Sequence, residues 1–218
     1  RCTFKPFHGK TVRAIKVHAD MSKGFHEKLL KFAQSIGMGG LGYLEVMEDK
    51  SYKGPIDKFI PDDMKEEIRE TAGLEVGDTI FFIADNEKNA ALYAGQIRTA
   101  LGERLDLIEK NSFKFCYIND FPMYEYDKET KKMEFTHNPF SMPQGGLEAL
   151  ETMDPEEILA YQYDIVCNGV ELSSGAVRNH DMKIMVKAFE IAGYTEEDLK
   201  EKFGALYNAF QFGAPPHA

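Results

Sequence analysis

Tyr163-Asp164-Ile165-Val166-Cys167-Asn168-Gly169-Val170-Glu171-Leu172-Ser173-Ser174-Gly175-Ala176-Val177-Arg178 is the stretch from which the rest of the chain can be read. β-Branched and aromatic residues dominate its first half, so 161–172 reads as one strand rather than a helix. Ser173-Ser174-Gly175 reads as a break in that strand, flanked by Glu171 and Arg178. Their separation is odd, and on a regular strand they would point to opposite faces. A bulge or tight turn at the Ser-Ser-Gly step would bring both into one cleft. There a carboxylate could hold a metal-bound nucleotide and a guanidinium an anionic substrate. A salt bridge beside a loop accounts for the same pair, and the pattern leaves both readings open.

Downstream, Asp181 is placed to cap a helix whose apolar face includes Ile184, Ala188 and Ile191, with Gly193 at its end. A second helix opens on a capping box, Thr195 with Asp198, and carries Leu199, Phe203, Leu206 and Phe210. Upstream, Phe115 to Asn119 reads as a strand, and Pro139 to Gly146 is rich in turn residues.

Residues 1–104 differ in character. Thr11 to His18 predicts a strand; Phe25, Leu29, Phe32 and Ile36 then recur at helical spacing, with Ser22 as cap and Gly37 as stop. Tyr43 to Met47 and Thr79 to Ala84 read as strands. Helices follow Pro61 and cover Ala90 to Leu101, stopped by Gly73 and Gly102. The chain therefore reads as two α+β domains, 1–104 and 105–218, the first with its helices packed on one sheet.

A net charge of −10 argues against strong polyanion binding by these 218 residues alone. Hydrophobic residues at 43% give an ordinary globular composition, and no apolar run is long enough to cross a bilayer. No secretory leader opens the chain. Beginning at Arg1, the sequence reads as an internal piece of a longer protein. Cys2, Cys116 and Cys167 are widely spaced with no CxxC, so buried thiols in a reducing cytosol are expected. Gly37-Met38-Gly39-Gly40-Leu41-Gly42 matches a dinucleotide fingerprint, but a helix precedes it and a strand follows, the wrong order for holding a pyrophosphate. His8, His18, His26 and His180 show no ligand spacing. The acidic runs Asp62-Asp63 and Glu196-Glu197-Asp198 suit helix N-termini.

The opening segment closely resembles the Y-D-L-V-x-N-G-x-E-x-G-G-G-S-x-R segment of bacterial-type aspartyl-tRNA synthetases. Asp120-Phe121-Pro122-Met123-Tyr124-Glu125, His137-Asn138-Pro139-Phe140-Ser141, Lys202-Phe203-Gly204 and Gly213-Ala214-Pro215-Pro216-His217 follow the same family in the same order. Residues 1–104 resemble, more softly, the GAD insertion of those enzymes, also found in the B subunit of a tRNA-dependent amidotransferase. Gly77-Asp78-Thr79-Ile80-Phe81-Phe82 carries that likeness.

The resemblance implies part of a class II catalytic domain that activates aspartate with Mg-ATP and transfers it to tRNA, in a cytoplasmic homodimer. It implies that His137 and Arg178 bind aspartate and that Glu171 contacts ATP, through Mg²⁺. It implies no nucleophilic side chain, since the chemistry is positioning and charge stabilisation. Asn138 stands where the family often has a second histidine, and Ser173, Ser174 and Ala176 depart from the usual glycines and serine. An Arg-Asp-Glu motif, the final arginine motif, the dimer-forming motif and the anticodon barrel are not found, so the piece is expected to be inactive alone. The alternative is a noncatalytic GAD-type module that contacts tRNA or protein.

Overall fold

A computed structural model describes residues 3–215 and 217, and the chain divides into two compact units, Arg1–Lys110 and Asn111–Ala218. Both combine helices with antiparallel sheet, an α+β construction.

The first unit contains strands β1 (Thr11–His18), β2 (Gly42–Val46), β3 (Tyr52–Lys53) and β4 (Asp78–Asp85), in the order β1-β4-β2-β3. Its helices are α1 (Lys23–Ser35), α2 (Asp62–Ala72) and α3 (Glu87–Arg104). Strand β4 serves two cores by alternation. Phe81 and Ile83 pack with Leu29, Ala33, Ile97 and Leu101 from α1 and α3. Ile80 and Phe82 pack with Leu44, Ile56 and Leu74, joined by Met64 and Ile68 of α2. A strand covered on both faces needs an unbroken apolar run, and Ile80-Phe81-Phe82-Ile83 supplies it.

Ser22 caps α1 by accepting the Phe25 N–H, and Gly73 ends α2 in the left-handed conformation, both as the sequence predicts. Gly102 does not close α3. The helix runs to Arg104, Asp106 takes the left-handed position with φ 52°, and the Leu107 N–H donates to the Gly102 carbonyl at 2.9 Å. Gly102 instead makes room for Ile108, whose Cγ1 would lie 3.3 Å from an added Cβ.

In the second unit β5 (Phe115–Pro122) leads into a hairpin of β6 (Tyr124–Asp127) and β7 (Lys132–Phe135), then α4 (Gly146–Thr152). Strands β8 (Leu159–Cys167) and β9 (Val170–Ala176) complete a sheet ordered β5-β8-β9. Helices α5 (Met182–Ile191) and α6 (Glu196–Gln211) follow. Asp181 accepts the Lys183 and Ile184 N–H groups, and the Thr195–Asp198 capping box is complete. Tyr124 is buried against Leu150, Ile158 and Ala188, and its hydroxyl donates to the Ala188 carbonyl at 2.9 Å. That burial pushes its ionisation well above the usual tyrosine range.

Two strand expectations fail here. Residues 161–172 are not one strand, because Asn168 (φ 50°) and Gly169 (φ 81°) form a two-residue turn between β8 and β9. Both central residues are left-handed, the geometry that matches strand twist and favours Asn-Gly. The apolar run on either side masks this signal. Ser173-Ser174-Gly175 is not a break either; it lies within β9. The irregularity falls one residue earlier, where Ile165 pairs with Ser173 and Val166 with Glu171, leaving Leu172 as the extra residue.

Cys167 is buried as expected, Cys116 is exposed on β5, and Cys2 lies outside the described residues, as do Pro216 and Ala218. Among the described residues no helix is long and apolar enough to cross a membrane.

Candidate substrate-binding site

The loop after β7 is fastened to the sheet by main-chain bonds that no local pattern announces. Met142 donates to the Val177 carbonyl at 2.8 Å, Tyr161 donates to the Met142 carbonyl at 2.9 Å, and Asn179 donates to the Phe140 carbonyl at 2.7 Å. Ser141 and Arg178 form an isolated bridge, and the fully buried Ser141 hydroxyl accepts the Gln162 amide at 2.7 Å. The 137–144 loop is thereby locked to the backbone on which Arg178 sits. Asn138 bends this loop: its side-chain oxygen accepts the Phe140 N–H at 2.9 Å, a turn that an Asn side chain can make.

Arg178 is half-buried just beyond β9 and lines a cavity of about 240 Å³ with Phe140, Asn179, Leu206, Phe210 and His217. Its guanidinium has no carboxylate partner among the described residues, although the backbone is held by the His217 carbonyl at 2.8 Å. A cation at an apolar cavity without a partner is costly unless an anion arrives. Asn179 beside it is fully buried; its oxygen accepts the Asp181 N–H, and its Nδ2 has no partner.

Glu171 is exposed at the other end of β9. The extra residue at Leu172 corrects the parity. Glu171, paired with Val166, is brought into step with Ser174 and Ala176, and the same alternation continues to Arg178. The two side chains do not converge, however. At strand rise their Cα atoms are about 20 Å apart, and no ion pair joins them among the described residues. The salt-bridge reading therefore fails, and any ligand touching both must be long. Asp164, paired with Ser174, shares the face of Glu171 and lies diagonally across from it, about 7–8 Å away by ladder geometry. The sequence reading overlooked Asp164, although it stands in the opening segment.

His137 is exposed, with its ring 4.8 Å from that of Phe121. No hydrogen bond, ion pair or ring contact joins His137, Glu171 and Arg178 to one another among the described residues. No group of three or more His, Cys, Asp or Glu side chains there is arranged to hold a metal ion. Mg²⁺ needs less from a protein, one or two carboxylates with substrate phosphates and water supplying the rest. Glu171 and Asp164 fit that smaller role.

Exposed Glu171 and half-buried Asp164 thus lie near one end of β9, and Arg178, with no carboxylate partner among the described residues, lies just beyond the other. The chain belongs to the class II tRNA synthetases for Asp, Lys and Asn, whose family model matches residues 8–218. Within that class it is 54% identical over 211 residues to the aspartate–tRNA(Asp/Asn) ligase of Ehrlichia ruminantium (strain Gardel). It is 53% identical over 215 residues to the ligase of the same name from Rickettsia akari (strain Hartford). Each match covers 96% of this chain and 36% of the relative.

Proposed function

We propose that this chain is a region of an aspartate–tRNA ligase, which joins aspartate to the adenylyl group of ATP as aspartyl-adenylate with release of pyrophosphate, then passes the aspartyl group to tRNA with release of AMP. The observation that carries this reading is Arg178, a half-buried guanidinium beside a cavity with no carboxylate partner among the described residues. Its planar fork suits the side-chain carboxylate of aspartate. Glu171, with Asp164 across the ladder, would hold the Mg²⁺ that accompanies ATP phosphates, neutralising their charge. His137 would line the amino-acid end. The separation of Glu171 from Arg178 agrees with a nucleotide and an amino acid laid end to end along β9. Catalysis here is positioning and charge stabilisation, with no nucleophilic side chain.

The same reading assigns the first unit to a GAD-type insertion, the working enzyme to a cytoplasmic homodimer, and the tRNA partners to those the relatives' names carry, tRNA(Asp) and tRNA(Asn). The test is aspartate-dependent exchange of pyrophosphate into ATP by the full-length enzyme with Arg178→Lys. Selective loss on the aspartate side supports the assignment, and unchanged aspartate kinetics removes it.

A further inference from the structure

The glycine run lies between α1 and β2, and residues 38–42 of it wall a cavity. The space, about 350 Å³, lies within the first unit and is lined by Phe4, Phe7, Met38, Leu41, Ile56 and Phe82. The Phe4 and Phe7 rings meet edge-on at 4.8 Å, and Phe7 meets Phe82 at 5.8 Å. Polar groups are few and specific. Lys10 and Asp85 both line the cavity and make no ion pair with each other. Asp85 Oδ1 accepts the Asn86 N–H at 2.8 Å, the Asn86 side-chain amide at 3.1 Å and the Asn89 amide at 3.2 Å, whereas Oδ2 has no hydrogen-bond partner among the described residues. The Asn86 N–H foremost, then Asn89 and the charge of Lys10, hold this carboxyl below its usual range, so it is ionised at neutral pH. Gly39 and Gly40 also line the cavity, and neither N–H donates to another protein atom among the described residues. An added Cβ at either would meet nothing within 4 Å, so packing does not require glycine there.

An apolar pocket rimmed by exposed Lys10, half-buried Asp85 and the two spare donors of exposed Gly39 and Gly40 matches a particular ligand class. The volume is at the lower end of small-molecule pockets, about 300–1,000 Å³. A simple hydrocarbon would leave Lys10 and Asp85 unused, and an anion alone would meet the Asp85 carboxylate. We propose that this cavity binds a free α-amino acid with an apolar side chain. The ammonium is received by Asp85 Oδ2 and the carboxylate by Lys10 with the Gly39 and Gly40 amides, while the side chain sits among Phe4, Phe7 and Ile56. This site is separate from Arg178 and does not depend on the proposed ligase activity.

The test titrates the chain with L-leucine, L-methionine and L-phenylalanine, following amide shifts by NMR and heats by calorimetry. Isocaproate and isoamylamine serve as probes lacking the ammonium and the carboxylate. At least one amino acid is expected to bind saturably and to shift Gly39, Gly40 and Asp85. Each truncated probe, and each of Lys10→Gln and Asp85→Asn, should weaken binding about tenfold or more, the scale of one charge-assisted hydrogen bond. Gly40→Leu, which needs no backbone rearrangement, should abolish binding while leaving the fold intact. The proposal is overturned if none of the three amino acids binds, or if the truncated probes bind as well as the amino acid. Shifts that map to the surroundings of Arg178 overturn it too.

Discussion

Tyr163 closes over Gly175 so tightly that a Cβ on Gly175 would come within 2.5 Å of the Tyr163 Cζ and Oη atoms. The two residues are paired across β8 and β9. Ser173 and Ser174 are accommodated on the same strand, but a side chain at the third position of that triplet would require the exposed end of the Tyr163 ring to swing aside. Gly175→Ala should therefore cost about 1 kcal/mol, the low end of the range for overpacking, because the ring end is exposed and can move. Replacing Tyr163 by serine in the same protein should recover most of the loss. Thermal melting of the two single variants and the double variant checks this; additive losses would show that the contact is not the cause.

Arg178→Lys in the full-length enzyme keeps the charge but replaces a bidentate fork with a point contact. The aspartate specificity constant should fall roughly ten- to a hundredfold, corresponding to about 1.5–3 kcal/mol for a charge-assisted hydrogen bond. Apparent affinity for ATP should change much less and the melting temperature hardly at all, since no ion pair within the described chain is lost. A drop in melting temperature with normal aspartate kinetics would mean that Arg178 is structural.

Asn168 does two jobs. It adopts the left-handed turn position, and its side chain accepts the Lys114 N–H at 2.9 Å while donating to the Ser112 carbonyl at 2.8 Å. Asn168→Ala should lose both bonds and strain the turn, costing about 2–3 kcal/mol in total. Asn168→Gly keeps the turn and should cost less. Urea unfolding of the second unit ranks the variants; equal losses for alanine and glycine would show that backbone conformation plays no part.

The start of α6 should respond to acid. Backbone and side-chain hydrogen bonds from Thr195 lower the pKa of Asp198, and hydrogen bonds from Tyr207 and then Lys200 lower that of Glu196. A carboxylate with a depressed folded pKa contributes stability that is full above its unfolded value and is lost as pH falls through the folded one. Protection of α6 amides against hydrogen exchange should thus be flat near neutrality and decline below about pH 4. Asp198→Asn should shrink that decline, and an unchanged acid limb in this variant would refute the linkage.

Each unit has its own core, so residues 1–110 are expected to fold alone. Limited proteolysis should cut within 105–112, an exposed connector that includes Leu107 and Ile108, and the released first unit should melt cooperatively. A first unit that unfolds on release would contradict this.

Local chemistry was legible in the residues themselves. The caps at Ser22, Asp181 and Thr195, the left-handed Gly73 and the buried run of β4 each depend on neighbours a few positions away, and each is where the sequence puts it. The candidate site was legible as names, His137, Glu171 and Arg178, but not as an arrangement. Asn168-Gly169 is a strong turn signal that aromatic and β-branched neighbours concealed. The place of Asp164 beside Glu171 was missed because it depends on how β8 and β9 pair, whereas the role of Asn138 as a loop-former was missed although its partner, the Phe140 N–H, lies only two residues on. The extra residue at Leu172, the locking of Met142 to Val177 and the lack of a carboxylate partner for Arg178 among the described residues follow from strand register and burial. The first is settled by how two strands of one hairpin pair, and the second by a hydrogen bond between segments tens of residues apart; a sequence lists these partners side by side with everything else and only folding selects them.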